Sequence, residues 1–321
     1  MRKILVTIPA YDKHKEYLES IDQQAEFVYC EQSAVTEVMV AEATIIIGNV
    51  NPKYLKQAKN LTFMQLDSAG VEAFIAPGVL PPGVLLANAS GAYGLAISEY
   101  MVGSVFLLQK KFHLYLENMT TQTWRDEGKV KSIADSVTLA LGVGDIGSQF
   151  AQKMHALGSR VIGVRRNKTS SPPYLEALYQ IDELDDILPK ADIVACSLPG
   201  TPETKHLLDK NRLLKMKKGA IIVNVGRGSL IPTQDLYDVL QEGHLGGAAL
   251  DVTEIEPLPK DSPLWRAPNL LLTPHIAGWY HVPQILESMV EIAGDNLKAV
   301  LHGGKIRNEV DFEAGYRKFK G

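Results

Sequence analysis

The 321 residues are 45% hydrophobic and 22% charged, a composition that folds rather than one that stays disordered, and the length suits two domains. Thirty-three Lys and Arg against 37 Asp and Glu leave a formal charge of −4, which argues against a nucleic-acid or anionic-membrane partner; two cysteines, Cys30 and Cys196, exclude a disulfide framework and a four-cysteine zinc site. The opening apolar run meets Pro9, Tyr11, Asp12 and Lys13 too early for a signal peptide, and no apolar stretch approaches the ~20 residues of a membrane span, so a cytoplasmic location is expected.

In chain order, apolar runs at 4–8, 27–30, 44–48, 62–66 and 84–87 predict five buried strands. The mostly apolar stretch 95–116 predicts one long helix, whose small residues Ala96, Gly103 and Ser104 suit close packing between domains or between subunits. Runs at 137–141, 161–164, 193–197, 220–225, 248–252 and 270–273 predict six further strands. Continuous Val, Ile and Leu are what a parallel sheet covered on both faces requires, so the expected fold is α/β with doubly wound parallel sheets. Between the later strands, Ile146, Phe150, Met154 and Leu157 share one helix face that Gly158 is placed to end. Thr233 is placed to cap a helix carrying Leu236, Val239 and Leu240, and a last helix is expected over 285–301.

The run 137–141 leads into Gly142-Val143-Gly144-Asp145-Ile146-Gly147. A G-x-G-x-x-G alone is weak, but here it follows a strand and opens a helix, the context that dinucleotide binding needs. Gly142 permits the tight turn, Gly144 lets the backbone approach a pyrophosphate, Gly147 lets helix pack on strand, and the turn through Asp145 and Ile146 presents N–H groups at the helix end. Beyond the next strand, Arg165 and Arg166 stand where an NAD enzyme usually has an acid for the ribose hydroxyls, and no acid occurs before Glu176. Guanidinium groups suit a 2′-phosphate, and Thr169 and Ser170 add hydroxyls, so NADP(H) is the expected cofactor, with NAD and a merely solvated basic loop as the alternatives.

Three titratable residues follow three later strands: Arg227 in Asn224-Val225-Gly226-Arg227-Gly228, Glu256 before Pro257, and His275 in Thr273-Pro274-His275-Ile276-Ala277-Gly278. Ligands of open parallel sheets bind outside the carboxyl ends of the strands, where all three converge. Singly, each has a structural explanation. Together they suit reduction of a 2-oxo acid: a guanidinium to hold the carboxylate, an imidazolium to protonate the carbonyl oxygen, and a carboxylate to favour the charged imidazole.

With these motifs, and with Asp251-Val252 ahead of Glu256-Pro257-Leu258-Pro259, nearly the whole chain resembles the D-isomer-specific 2-hydroxyacid dehydrogenase family, in its NADP-preferring 2-oxo acid reductase branch. The resemblance implies a Rossmann cofactor domain over 93–283, a discontinuous flavodoxin-like substrate domain from 1–92 and 284–321, an active site in the cleft between them, and a homodimer. It implies Arg227 on the substrate carboxylate, His275 as acid/base and Glu256 as its partner. It also implies Asp251, Val225 and Gly226 near the nicotinamide, Pro199 and Thr204 beside the adenosine, and Ser68, Ala69, Gly70 and Val71 offering backbone N–H groups to the substrate carboxylate. The substrate would be a small 2-oxo acid or D-2-hydroxy acid. Trp279 and Tyr280 stand where the family often has Ser or Thr; core packing, dimer contact and pocket lining are all open for them. Phosphoglycerate dehydrogenase is a rival reading, less expected because no regulatory domain follows Gly321. Formate dehydrogenases, which carry Gln where Glu256 stands, and dinucleotide-sensing corepressors are the others.

Overall fold

The computed structural model describes residues 1–166 and 171–318. The chain divides into two units, Met1–Ala92 with Tyr280–Gly321, and Tyr93–Trp279.

In the first unit, strands β1 (Lys3–Val6), β2 (Glu26–Tyr29), β3 (Ile45–Ile47), β4 (Phe63–Gln65) and β5 (Leu85–Ala87) form a wholly parallel sheet ordered β2-β1-β3-β4-β5. This is the flavodoxin-like order. Strand β3 is three buried isoleucines, as a sheet covered on both faces demands. On one face, Leu5, Ile46, Met64 and Leu86 pack into a continuous core. The helix Pro283–His302 belongs to this unit and buries Met289, Ile292, Ala293 and Leu297, with the buried Asn296 among them fixed from two sides. Asn296 Nδ2 donates to Gln65 Oε1 at 2.6 Å, and its Oδ1 accepts from the Arg307 amide at 2.6 Å. A buried amide left without those partners costs about 1–3 kcal/mol, so the pairing also selects the helix register.

In the second unit, β6 (Val137–Leu141), β7 (Arg160–Val164), β8 (Ala177–Tyr179), β9 (Ile193–Cys196), β10 (Ile221–Asn224), β11 (Gly247–Leu250) and β12 (Leu270–Leu272) are ordered β12-β11-β10-β9-β6-β7-β8, all parallel. This is the dinucleotide-binding order with a seventh strand at one edge, and the direction of winding reverses between β6 and β9. The register aligns Asn224 with Leu250 and Leu250 with Leu272, so three strands end side by side. Among the described residues no helix is long and apolar enough to cross a membrane.

Two local expectations are corrected. The single helix over 95–116 is two, Gly94–Gln109 and Phe112–Thr120. Lys111 between them takes φ +57°, which a continuous helix does not allow, and its Nζ donates to the Glu127 carbonyl. Thr233 does not cap its helix but is its first residue, after Pro232. Its N–H, one of those every helix start leaves without an internal partner, donates to Glu254 Oε2 at 3.0 Å.

Candidate active site

The loop after β6 is built by exclusion of side chains. Gly142 has φ +102°, and a Cβ there would crowd the Ser197 backbone at 3.2 Å. A Cβ on Gly147 would overlap the Gly142 carbonyl and come within 2.8 Å of Ser197 Oγ, the hydroxyl that donates to that same carbonyl at 2.9 Å. A side chain at 147 would push the helix Asp145–Ala156 off the end of β6, and one at 142 would press on the loop after β9 in a backbone conformation that L residues rarely adopt. Gly144, the residue before that helix, differs: a Cβ there meets nothing within 4 Å. Backbone at a helix start, bare of side chain and facing open space, fits a pyrophosphate, so the residues present fit a dinucleotide. Asp145 and Ile146 begin the helix itself.

Arg165 comes directly after β7, half-buried, with its N–H donating to the Tyr179 carbonyl at 3.0 Å. Arg166 is exposed. A hydrogen bond from Thr201 and one from the local backbone, with a smaller share from the Arg166 charge, hold the Glu203 carboxyl below its usual range. Thr169 and Ser170 lie outside the described residues. In the β9 loop, Thr204 is buried, its hydroxyl donating to the Pro199 carbonyl at 2.7 Å and accepting from the Thr201 amide at 2.9 Å. Gly226, after β10, lies so close to Leu198 that a Cβ would stand 2.6 Å from its carbonyl oxygen, and Val225 donates to the Cys196 carbonyl at 3.0 Å.

Arg227 and His275 each sit three residues beyond the aligned ends of β10 and β12. His275 Nδ1 is 2.8 Å from Glu256 Oε2. The other oxygen of Glu256 accepts the Thr253 amide at 3.0 Å, which fixes the carboxylate's direction. A Cβ on Gly228 would overlap the carbonyl of Thr253, so the Arg227 turn lies flush against the loop that carries Glu256. Contact is therefore continuous from the Arg227 turn through Thr253 and Glu256 to His275. The Arg227 side chain donates from Nη1 to the Gly226 carbonyl at 2.7 Å. Residues of this kind can hold a carboxylate, deliver a proton and orient the proton donor.

Asp251 is buried and engaged with the His275 turn. Its Oδ1 accepts the Ile276 amide at 2.9 Å and the Thr273 hydroxyl at 2.7 Å, and its Oδ2 accepts the Ala277 amide at 3.0 Å. Each carboxylate oxygen offers about two lone-pair sites, which leaves Oδ2 one more acceptance for a ligand amide.

Ser68, Ala69, Gly70 and Val71 lie in the other unit, after β4. Ser68 Oγ donates to the Gly70 carbonyl at 2.7 Å and Asn88 Nδ2 to the Ala69 carbonyl at 2.8 Å, so side chains shape the loop through its carbonyls. Just ahead of it, Tyr280 Oη donates to Asp67 Oδ2 at 3.2 Å, while burial pushes the Asp67 carboxyl above its ordinary range. Trp279 is 58% exposed within this chain, so it is not a core residue.

Residues 102–277 match the family model described as D-isomer specific 2-hydroxyacid dehydrogenase, NAD binding domain. The chain belongs to the D-isomer specific 2-hydroxyacid dehydrogenase family. A family member of Erwinia tasmaniensis, glyoxylate/hydroxypyruvate reductase B, is 31% identical over 272 residues, 82% of this chain and 83% of that one. The crystal structure of a D-isomer specific 2-hydroxyacid dehydrogenase family protein from Aeromonas salmonicida subsp. salmonicida superposes with a TM-score of 0.86 at 30% identity, over 97% of this chain and 99% of that one. A probable 2-hydroxyacid dehydrogenase from Rhizobium etli, solved with NADP, HEPES and L(+)-tartaric acid, gives 0.80 at 25% identity, over 98% and 100%.

Sequence reasoning passed over two supporting residues of this dehydrogenase-family site. Asn224 is buried at the end of β10, donates from Nδ2 to the Arg227 carbonyl at 3.0 Å and accepts the Gly226 amide at 3.1 Å. It staples the Arg227 turn, and a polar residue closing an all-apolar run was the available signal. Thr273 opens the Thr273-Pro274-His275 segment, but its bond to Asp251 spans 22 positions and has no local sign in the sequence.

Proposed function

We propose that this chain is an NADP(H)-dependent reductase of small 2-oxo acids that forms D-2-hydroxy acids reversibly. The observation that carries the reading is the His275 Nδ1 to Glu256 Oε2 contact of 2.8 Å, made beside the Arg227 turn on the sheet edge that also carries the Gly142–Gly147 loop. We assign the 93–279 unit to the cofactor and the other to the substrate. Gly142, Gly144, Asp145, Ile146 and Gly147 hold the pyrophosphate, Arg165 and Arg166 the 2′-phosphate, and Pro199 and Thr204 border the adenosine. Val225, Gly226 and Asp251 border the nicotinamide. The bound cofactor supplies a hydride to the substrate 2-carbon.

The chain's own residues do the rest. Arg227 holds the substrate carboxylate and stabilises the charge that grows on the carbonyl oxygen; the amides of Ser68 to Val71 add donors to the carboxylate. With Nδ1 committed to Glu256, which orients the ring, His275 delivers its proton from Nε2. The Erwinia tasmaniensis reductase supports the oxo-acid class, and the Rhizobium etli structure supports NADP. A homodimer is part of the proposal, supported by the exposed apolar side chains of Phe112, Leu116, Met119 and Trp124.

The test is a steady-state screen of glyoxylate, hydroxypyruvate, pyruvate and branched and aromatic 2-oxo acids with NADPH and NADH. Turnover of at least one acid with a higher kcat/KM for NADPH is expected. Clear preference for NADH refutes the cofactor assignment, and absence of turnover with either cofactor refutes the activity.

A further inference from the structure

The His275 turn is tied to a residue distant from it in sequence. Thr273 Oγ1 lies 2.7 Å from Asp251 Oδ1 and 2.7 Å from the hydroxyl of Tyr100, which sits in the helix Gly94–Gln109. A threonine hydroxyl has one proton, and an ionised carboxylate only accepts. The Thr273 proton therefore goes to Asp251, and Tyr100 must be the donor to Thr273. Burial, opposed by the Thr273 bond and reinforced by the Asp251 charge, holds the Tyr100 phenol above its ordinary range, so it remains a donor.

Beyond Asp251 the same chain of bonds reaches the proton donor. The Asp251 carboxylate receives the amides of Ile276 and Ala277 at 2.9 and 3.0 Å, and its main-chain carbonyl receives the His275 amide at 2.8 Å. His275 itself has φ +55°. A non-glycine residue rarely takes that conformation, and it persists only where the surroundings over-determine it. Four bonds from one aspartate to residues 273–277 supply that over-determination.

We propose that Tyr100 is a positioning residue: its phenol, through Thr273, fixes the rotamer of Asp251 and thereby the turn that aims the His275 ring. The kinetic consequence rests on the reading of His275 as proton donor; the structural consequence does not. Without the Tyr100 hydroxyl, the Thr273 hydroxyl gains freedom to turn from Asp251, and the carboxylate loses one of its constraints.

The experiment compares Tyr100→Phe, Thr273→Val, Thr273→Ser and the Tyr100→Phe/Thr273→Val double variant, reading hydrogen exchange at the Ile276 and Ala277 amides and, separately, kcat and KM for a 2-oxo acid. One net hydrogen bond corresponds to roughly a 3- to 10-fold change, so Tyr100→Phe is expected to speed exchange at both amides and lower kcat by about that factor, with KM changed less than about twofold. Thr273→Val should exceed it, Thr273→Ser should match wild type, and Tyr100→Phe should add nothing in the Thr273→Val background. Unchanged exchange in Tyr100→Phe overturns the proposal, as does an equal effect of Tyr100→Phe in both backgrounds. If the amides respond as expected but wild type turns over no 2-oxo acid, the positioning network stands and the proposed activity falls.

Discussion

Gly144→Ala separates the two demands made on the glycine loop. The added methyl meets no atom within 4 Å, and φ −92° at this residue lies outside the left-handed region that favours glycine, with ψ −148° at the margin of the extended region. At the helix start Ala is poorer than Gly by about 0.5–1 kcal/mol. In a unit of this size that lowers Tm by about 3 °C or less. The same methyl stands where the pyrophosphate is proposed to approach the backbone. Loss of one charge-assisted hydrogen bond to phosphate, about 1.5–3 kcal/mol, weakens NADPH binding roughly 10- to 150-fold. Fluorescence titration with NADPH and a thermal melt of the apo protein measure the two effects independently. A Kd within twofold of wild type shows that the open space at Gly144 is not the cofactor's, and a Tm loss far beyond 3 °C shows that the space is not open.

Arg165→Asp should lower the kcat/KM ratio of NADPH over NADH by about 10-fold or more, because a carboxylate repels the 2′-phosphate and accepts from ribose hydroxyls; an unchanged ratio removes Arg165 from cofactor selection. Glu256→Gln keeps a hydrogen-bond partner for His275 but exchanges a charge-assisted bond for a neutral one, so kcat of reduction should fall by about 10-fold; unchanged turnover excludes Glu256 from orienting His275. Burial pushes the Asp192 carboxyl up, but the Val137 amide at 3.0 Å and Lys217 at 3.0 Å, with Lys131, outweigh it and hold it below its ordinary range. Its stabilisation is therefore present above the unfolded carboxyl range, about pH 4, and lost as pH falls through the lower folded value. The Tm gap between wild type and Asp192→Asn should narrow below about pH 4, and a gap that stays constant to pH 2.5 contradicts this.

What the sequence shows directly is what burial writes into it. Eleven of the twelve strands of the two parallel sheets lie at the apolar runs, most of them because a strand covered on both faces must be apolar along its length, although the edge strands β2 and β12 are only partly buried and not the buried strands expected there. Strand β8, Ala177–Tyr179, carries no continuous run of Val, Ile or Leu, unlike β12, Leu270–Leu272, the equally half-buried strand at the other edge, and so left no mark in the sequence. Arg227, Glu256 and His275 were legible because strand ends are where a parallel sheet offers its groups to ligands. The break at Lys111 was not, because it depends on one backbone angle and on a bond to Glu127. The support behind His275 was not legible either: Tyr100 and Thr273 are 173 positions apart, and only the packing of the Gly94–Gln109 helix on the sheet brings them together.

The most direct test of the account is His275→Ala assayed for NADPH oxidation with the best 2-oxo acid of the screen, alongside circular dichroism. A general acid contributes about 10²- to 10⁴-fold, so turnover is predicted to fall within that range while the spectrum and the NADPH affinity stay at wild type. A variant that keeps more than a tenth of wild-type turnover contradicts the assignment of His275 as the proton donor.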